Sequence, residues 1–128
     1  DMREAIQFAF SYPERLTLDN KKLNFAELGQ LSFSAPDMNK FPALKIAYEA
    51  LNLGGNMPCI MNAANEAAVA AFLQGKIGFY DITDIVHECM SGADFVADPD
   101  LETIFKTNET VLAKAAELIG KASCRKTF

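Results

Sequence analysis

The chain has 128 residues, half of them hydrophobic and 23% charged, a composition that suits one globular domain and excludes a disordered or fibrous chain. Its formal net charge of −5 argues against nucleic-acid binding, which needs clustered lysine and arginine, and the one basic cluster, residues 121–126, is predicted to be a solvated tail. No apolar run approaches the roughly 18 residues needed to cross a bilayer and no secretory signal opens the chain, so no membrane partner is expected.

The first part of the chain is predicted to be a short helix followed by an extended arm. Residues 3–11 have helical character, with Asp1 as a candidate cap. Tyr12-Pro13 ends this helix, because the residue before a proline is pushed out of the α region. We predict an arm with little regular structure over residues 12–36. Three segments of it alternate apolar and polar residues and could each be a short half-buried strand: 16–18, 23–25 and 31–34.

The first of four principal helices is predicted after a boundary at residues 35–37. Asp37 or Asn39 can cap this helix, and Pro42 suits its first turn. It ends at Gly54-Gly55. One face collects four apolar residues at i, i+3, i+4 and i+7 and is predicted to be buried: Leu44, Ala47, Tyr48 and Leu51.

The second helix is the most apolar stretch of the chain. Asn56 or Met57 is its predicted cap, Pro58 lies in the first turn and Gly75 just past the end, so its length is about 17 residues. Small or apolar residues occupy most of its circumference, which is typical of a helix with neighbours on several sides. We expect its alanines to permit close helix packing and three aromatic residues to fill larger gaps: Phe72, Phe79 and Phe95.

The last two helices follow after short loops. Asp81 precedes a third helix that stops at Gly92. Its buried face is predicted to hold Ile82, Ile85, Val86 and Cys89. Residues 98–105 read as a short helical turn, after which Thr107 caps a last helix. Its predicted inner face holds Leu112, Ala115, Ala116 and Ile119. Short connections make sequential helices antiparallel, so the fold class is all-α: a four-helix bundle preceded by the extended arm.

A narrow polar stripe on the second helix is the main site candidate. Asn62, Asn65 and Glu66 follow one another at helical spacing on an otherwise apolar helix. If they face inward they must be hydrogen-bonded, because an unpaired buried polar group costs roughly 1–3 kcal/mol. They could line a ligand site, or they could act as a structural clamp on the backbone of the arm or a neighbouring loop. We favour the clamp and expect Asn62→Ala to lower stability.

No metal site is predicted in the chain. His87 and Cys89 lack a third and fourth ligand, so a solvent-facing histidine is favoured. Asp81, Asp84 and Glu88 lie along one helix side and could hold a cation weakly, but capping and solvating roles are favoured for them. The three cysteines are widely spaced, odd in number and without a CxxC pair, which favours a reduced, cytoplasmic compartment: Cys59, Cys89 and Cys124.

The chain as a whole resembles the C-terminal third of the 1-deoxy-D-xylulose 5-phosphate reductoisomerase family. The resemblance is continuous in order, strongest from Leu31 to Asp84, and most specific in Asn62-Ala63-Ala64-Asn65-Glu66 with its Ala-Ala-Phe-Leu continuation. The other segments that carry it are Asp1-Met2-Arg3, Tyr12-Pro13-Glu14-Arg15, Leu23-Asn24-Phe25, residues 31–37, Phe41-Pro42-Ala43-Leu44-Lys45 and residues 51–55.

The resemblance implies an enzyme of non-mevalonate isoprenoid biosynthesis. The family isomerises deoxyxylulose phosphate and reduces the product with NADPH and Mg²⁺ or Mn²⁺, giving 2-C-methyl-D-erythritol 4-phosphate. Its architecture implies that residues 1–11 are the tail of the catalytic domain, 12–36 the linker and 37–128 the C-terminal helical bundle. The implied partners are the upstream NADPH-binding and catalytic domains, in a homodimeric parent.

The same resemblance implies that this part of the family is a structural support. The cofactor loop and the catalytic and metal-binding residues belong to upstream sequence, so no catalytic residue, cofactor or metal is expected here and the chain alone should be inactive. Only Met2 corresponds to a position near the family's substrate and nicotinamide pocket. Two other hypotheses stay open: a free-standing helical protein-interaction module, and a small metal-dependent enzyme that uses the acidic side of the third helix.

Overall fold

The computed structural model describes residues 2–20 and 22–125, with side chains up to residue 123, and all regular structure in that part of the chain is helical. Its helices are α1 (Met2–Ser11), α2 (Phe25–Leu28), α3 (Pro42–Leu53), α4 (Met57–Leu73), α5 (Phe79–Ser91) and α6 (Leu101–Arg125). The all-α prediction is confirmed. The chain divides into two compact units, Asp1–Ala35 and Pro36–Phe128. None of the helices is both long and apolar enough to cross a membrane, as far as the structure describes the chain.

The first unit is held together by contacts at its surface. The Arg15 guanidinium lies over the Phe8 ring, 4.5 Å from its centroid, and Tyr12 packs edge-on against the same ring at 5.7 Å. The Asn20 amide donates a hydrogen bond to the Glu4 carboxylate. No side chain of residues 2–20 or 22–35 is buried. The unit therefore has no hydrophobic core among these residues.

The strand predictions in the arm are wrong. None of the described residues among 16–18, 23–25 and 31–34 forms a strand. Instead α2 makes a single helical turn, capped by Asn24, whose Oδ1 accepts a hydrogen bond from the backbone N–H of Ala26 at 3.1 Å. The physical reason is that a short alternating segment is stable as a strand only beside a partner strand, and residues 2–20 and 22–35 supply none. Helix α1 ends at Ser11, before Tyr12-Pro13, as predicted, while its proposed cap Asp1 lies outside the described residues.

Helix α3 has the predicted bounds but neither the predicted cap nor the predicted buried face. Asp37 Oδ1 accepts hydrogen bonds from the backbone N–H groups of Asn39 and Lys40, at 2.9 and 3.0 Å, so it closes the preceding turn. The N-cap position is held by Phe41, without a side-chain hydrogen bond. The side chains that α3 buries are Ile46 and Ala50, whereas the predicted stripe of Leu44, Ala47, Tyr48 and Leu51 is exposed. The helix carries two apolar faces, and periodicity alone does not say which one meets the bundle.

Helix α4 is the centre of the second unit. It spans 17 residues with Pro58 in its first turn, as predicted, and it packs against α3, α5 and α6. Its buried face is made mostly of alanine, and Ile60 is completely buried there. The predicted gap-filling role of Phe72, Phe79 and Phe95 is wrong, because all three rings are exposed. Small side chains bring the helices so close that no large gap needs an aromatic ring.

Helix α5 buries the predicted face. Its buried side chains are Ile85, Val86, Cys89 and Met90, with Ile82 partly buried beside them. The helix starts at Phe79, because the Asp81 carboxylate accepts a hydrogen bond from the backbone N–H of Gly78 at 2.5 Å and so fastens the first turn.

Helix α6 is one continuous helix of 25 residues, which corrects the predicted break between Phe105 and Thr107. The chain enters it at Asp100, whose carboxylate accepts a hydrogen bond from the backbone N–H of Thr103 at 2.8 Å. Its buried residues are Val111, Ala115 and Leu118. Of the predicted inner face, Leu112 and Ile119 are partly buried and Ala116 is exposed.

Candidate functional site

A buried asparagine fastens the start of α4 to the loop between α5 and α6. Asn56 is 1% exposed, the one buried polar residue of the described chain. Its Oδ1 accepts a hydrogen bond from the backbone N–H of Val96 at 3.0 Å, and its Nδ2 donates to the Asp94 carbonyl at 2.9 Å. Its own backbone N–H donates to the Val96 carbonyl at 3.0 Å. We call Asn56 with its partners Asp94 and Val96 the Asn56 clasp.

The two glycines before Asn56 allow this approach. Gly54 and Gly55 have φ angles of +66° and +55°, in the left-handed region that favours glycine. At Gly55 a Cβ would lie 2.3 Å from the carbonyl oxygen of Val96 and 2.9 Å from the Phe95 ring, so no larger residue fits. The Gly-Gly pair therefore ends α3 and also lets the α5–α6 loop reach the first residues of α4.

The clasp extends to α6 through one further contact. Asn56 Nδ2 lies 3.4 Å from Thr107 Oγ1, so the threonine predicted to cap a new helix instead lies inside α6, in its second turn, and contacts the start of α4. A groove of about 340 Å³ opens beside this contact, and its wall includes Thr103, Lys106 and Thr110. No buried side-chain nitrogen or oxygen in the described chain lacks a hydrogen-bond partner. The buried side-chain amide of Asn56 is therefore fully hydrogen-bonded and holds the structure together.

The predicted polar stripe lies elsewhere. Asn62, Asn65 and Glu66 all occupy the exposed face of α4, and none of their side chains hydrogen-bonds to a described residue. These side chains do not face the interior of the bundle, because α3, α5 and α6 pack against the buried face of α4. Whether the stripe clamps another part of the protein stays a prediction.

Sequence reasoning had noted Asn56 only as a helix cap. The local signal was the Gly-Gly-Asn turn before a proline, which identifies a helix start but not a partner 40 residues away. Asn56 holds the N-cap position, but its side chain makes no capping hydrogen bond, because both its amide oxygen and its amide nitrogen are hydrogen-bonded to the loop. Asn56, six positions before Asn62, thus fastens α4 to a loop of the second unit.

The acidic and sulfur-bearing residues of α5 do not come together as a site. His87, Asp84 and Glu88 point outward, and Cys89 is buried in the core. Burial raises the pKa of the Cys89 thiol, and the nearby charge of Glu88 raises it further, so the thiol stays protonated and unreactive at neutral pH. Among the described side chains, those of residues 2–20 and 22–123, no three His, Cys, Asp or Glu are placed to share a metal ion.

Met2 is the remaining predicted site residue. It begins α1 and is exposed. Nothing in the first unit singles it out as a contact for substrate or cofactor, and its proximity to such a pocket stays a prediction.

Comparison with known proteins identifies one family over most of the chain. The model of the DXP reductoisomerase C-terminal domain matches residues 1–114. The 1-deoxy-D-xylulose 5-phosphate reductoisomerase of Macrococcus caseolyticus (strain JCSC5402) is 46% identical over 118 residues, covering 92% of this chain and 31% of that protein. The reductoisomerase of Lysinibacillus sphaericus (strain C3-41) is 50% identical over 109 residues, covering 84% of this chain and 29% of that protein.

A solved structure shows the same fold. The 1-deoxy-D-xylulose 5-phosphate reductoisomerase from Zymomonas mobilis, in complex with NADPH, superposes with a TM-score of 0.82 at 42% identity. The superposition covers 93% of this chain and 32% of that one. The chain thus spans about a third of the length of the relatives that it matches.

Proposed function

Since this chain belongs to the DXP reductoisomerase family, whose C-terminal domain it matches over residues 1–114, we propose that it is the structural support domain of such an enzyme. In this proposal the whole protein isomerises 1-deoxy-D-xylulose 5-phosphate and reduces the product with NADPH to 2-C-methyl-D-erythritol 4-phosphate. The observation that carries the proposal is the 42% identity to the Zymomonas reductoisomerase at a TM-score of 0.82 over 93% of the chain.

The second unit has the properties that a support domain needs. It has a hydrophobic core of its own around α4, so its shape does not depend on a ligand. The Asn56 clasp ties the start of α4 to the α5–α6 loop and to α6, which restricts movement of these helices against one another. Rigid scaffolds hold catalytic groups within small tolerances, and loss of such support lowers turnover.

NADPH and the divalent metal would be bound outside this chain. The described residues offer no group of three metal-ligating side chains, and the chain has no glycine-rich phosphate-binding sequence. The residues of this chain therefore fit neither NADPH nor a metal ion, and no chemical step is assigned to them. NADPH would supply the hydride, and the metal, Mg²⁺ or Mn²⁺, would act as the Lewis acid. Both would be bound by the upstream NADPH-binding and catalytic domains of a cytoplasmic homodimer.

The exposed stripe of α4 is part of the proposal as the outer clamp of the support domain. Asn62 and Asn65 present amide groups that can both donate to and accept from a peptide backbone. The Glu66 carboxylate adds a further acceptor to the stripe. The partners of the three side chains would be backbone groups of the linker or of the upstream domains. Met2 is proposed to lie near the substrate and nicotinamide.

An activity assay in two arms tests the proposed function. Residues 1–128 alone, with NADPH, Mn²⁺ and 1-deoxy-D-xylulose 5-phosphate, should not oxidise NADPH, whereas a protein of the relatives' length that ends in this sequence should. Addition of the missing domains in trans should restore turnover to the chain. A protein of full length that is inactive in this assay would contradict the proposal, and stable capture of one unrelated protein by the chain would favour the interaction module instead.

A further inference from the structure

Helix α3 has a second apolar face that the other helices of the second unit do not cover. Ile46 and Ala50 pack into the bundle. On the opposite side, Leu44, Tyr48 and Leu51 follow at i, i+4 and i+7 and are 43%, 59% and 69% exposed. We call these three residues, with Ala47 between them, the outer face of α3.

The outer face of α3 is uncharged and continuous. The polar side chains of this helix, Lys45, Glu49 and Asn52, lie together on one flank, with a 3.7 Å ion pair between the first two. Single exposed apolar residues are normal at a protein surface, but three in a row at helical spacing form the pattern with which a helix seats itself in an apolar groove. The occupant must therefore present an apolar surface.

The area of this face decides between two possible occupants, a second copy of the chain and an attached segment of the same protein. Each large side chain offers on the order of 200 Å², so the face is too small for the ~800 Å² per partner that a stable dimer of separate chains needs. An attached segment needs no such area, because covalent linkage gives it a high effective concentration. The relatives supply such a segment, since about two thirds of their length lies outside the match.

We propose that the outer face of α3 is the docking surface for the portion of the protein that precedes the C-terminal domain. In the longer protein, this face of α3 sits in an apolar groove of that portion. This inference rests on the proposed function, because it takes the protein to have the length of its relatives. It adds to that function the face by which the support domain contacts what it supports.

Side-chain oxidation by hydroxyl radicals tests the docking surface. Tyr48 and Tyr80 are both 59% exposed in this chain, so their rates of oxidation should be similar in residues 1–128. In a protein of the relatives' length that ends in this sequence, Tyr48 should be oxidised severalfold more slowly than in the chain alone. A peptide of residues 42–53 supplies the unprotected rate for Tyr48. An unchanged Tyr48 rate in the longer protein would overturn the proposal.

A charge-insertion pair gives a second measurement. Leu51→Lys puts a charge on the outer face, while Asn52→Lys puts the same charge on the polar flank one residue later. In the longer protein, Leu51→Lys should lower the melting temperature and Asn52→Lys should not. In residues 1–128 both variants should melt like the parent chain. Equal melting of both variants in the longer protein would contradict the proposal.

The remaining outcomes assign the face differently. Protection of Tyr48 in residues 1–128 that grows with concentration, and is lost in Leu51→Lys, would identify a second copy as the occupant and overturn the proposal. NADPH oxidation by the longer protein is scored separately. Turnover without protection of Tyr48 refutes the docking surface alone, and protection without turnover refutes the proposed enzyme activity alone.

Discussion

The second unit of the chain buries a continuous hydrophobic core, whereas the described residues of the first unit bury no side chain at all. The difference does not come from composition. The first unit has large apolar residues along its whole length, and α1 alone carries Met2, Ile6 and Phe10 on one exposed side. In the second unit, α4 is surrounded by three helices, and each alanine on its inner face meets a neighbour.

The comparison shows that burial depends on which neighbours the chain itself supplies. An apolar residue lowers the free energy of folding only if some other surface removes it from water. Stability of this chain by itself should therefore depend on residues 36–128 and respond little to changes before residue 36. Four substitutions, each matched to the same residue type in the first unit, test that statement.

The largest effect is expected from the core of α4. Ile60 is fully buried and Ile6 is half exposed. Ile60→Ala removes three methyl or methylene groups and leaves a cavity, so the free energy of unfolding should fall by about 3 kcal/mol. Ile6→Ala should change it by less than about 0.5 kcal/mol. Chemical denaturation of residues 1–128 measures both, and comparable losses would erase the distinction between the units.

A slightly smaller loss is expected at the glycine that lets the clasp close. Gly55 and Gly29 both have positive φ, of +55° and +70°, but only Gly55 has atoms where a Cβ would stand. Gly55→Ala combines backbone strain of about 1 kcal/mol with a clash against the Val96 carbonyl, and should lower the melting temperature strongly. The Cβ added by Gly29→Ala has no atom within 4 Å, so the melting temperature of the main unfolding transition should not change. A Gly55→Ala protein that melts with the parent would contradict the geometry of the clasp.

The third effect comes from the clasp itself. Asn56→Ala removes the hydrogen-bond partners of the Val96 N–H and the Asp94 carbonyl, which are partly buried, and should cost about 2 kcal/mol. Asn24, which caps α2 at the surface of the first unit, should be replaceable by alanine with no change in the main transition. Asn62→Ala lies on the exposed stripe and should also leave the isolated chain unchanged, so the loss of stability expected from the sequence is now expected only in the longer protein. Stability of Asn56→Ala equal to that of Asn62→Ala would show that the clasp contributes nothing.

The smallest effect is expected from an exposed ion pair on α6. Lys121 Nζ lies 2.6 Å from Glu117 Oε1, and this hydrogen bond, with the charge of Lys114, lowers the pKa of Glu117 below its ordinary 4.5. The same bond raises the pKa of Lys121 above 10.5. The pair should therefore stabilise α6 at neutral pH, lose its effect as the pH falls through the lowered carboxyl pKa, and lose it again as the pH rises through the raised amine pKa.

Thermal melts across pH would detect this pair. Glu117→Gln should lower the melting temperature slightly at pH 7, and this deficit should shrink towards pH 2.5, because the parent carboxylate loses its charge as the pH falls through its lowered pKa. Glu27→Gln in the first unit is the control and should show no difference at either pH. A deficit in Glu117→Gln that persists at pH 2.5 would mean that packing, not charge, causes it.

Prolines and glycines near the helix ends were enough to predict most helix bounds in the second unit. Pro42, Gly54 and Pro58 mark the ends of α3 and the start of α4, because their backbone preferences act within one turn of the chain. The buried face of α5 was likewise predictable, since only one of its sides is apolar. The family resemblance was also visible in the sequence and is confirmed.

The remaining features depend on partners far along the chain. The face that α3 buries was mispredicted because the helix has two apolar sides, and only the positions of α4 and α5 select one. Thr107 resembles a cap, yet it lies within α6 and contacts Asn56, which is 51 positions away in the chain. The clasp could not be predicted for the same reason: its hydrogen bonds join residues 38 to 51 positions apart.

That separation has a consequence for the order of folding. Helices α4 and α5 are neighbours in sequence and can pair after a short loop closes, but the clasp requires the chain to have returned across all of α5. Contacts over such distances carry the larger loop-closure cost and tend to form after the transition state. Asn56→Ala should then leave the refolding rate almost unchanged and speed unfolding by the whole of its stability loss. The buried asparagine would thus set how long the finished bundle survives, not how quickly it assembles.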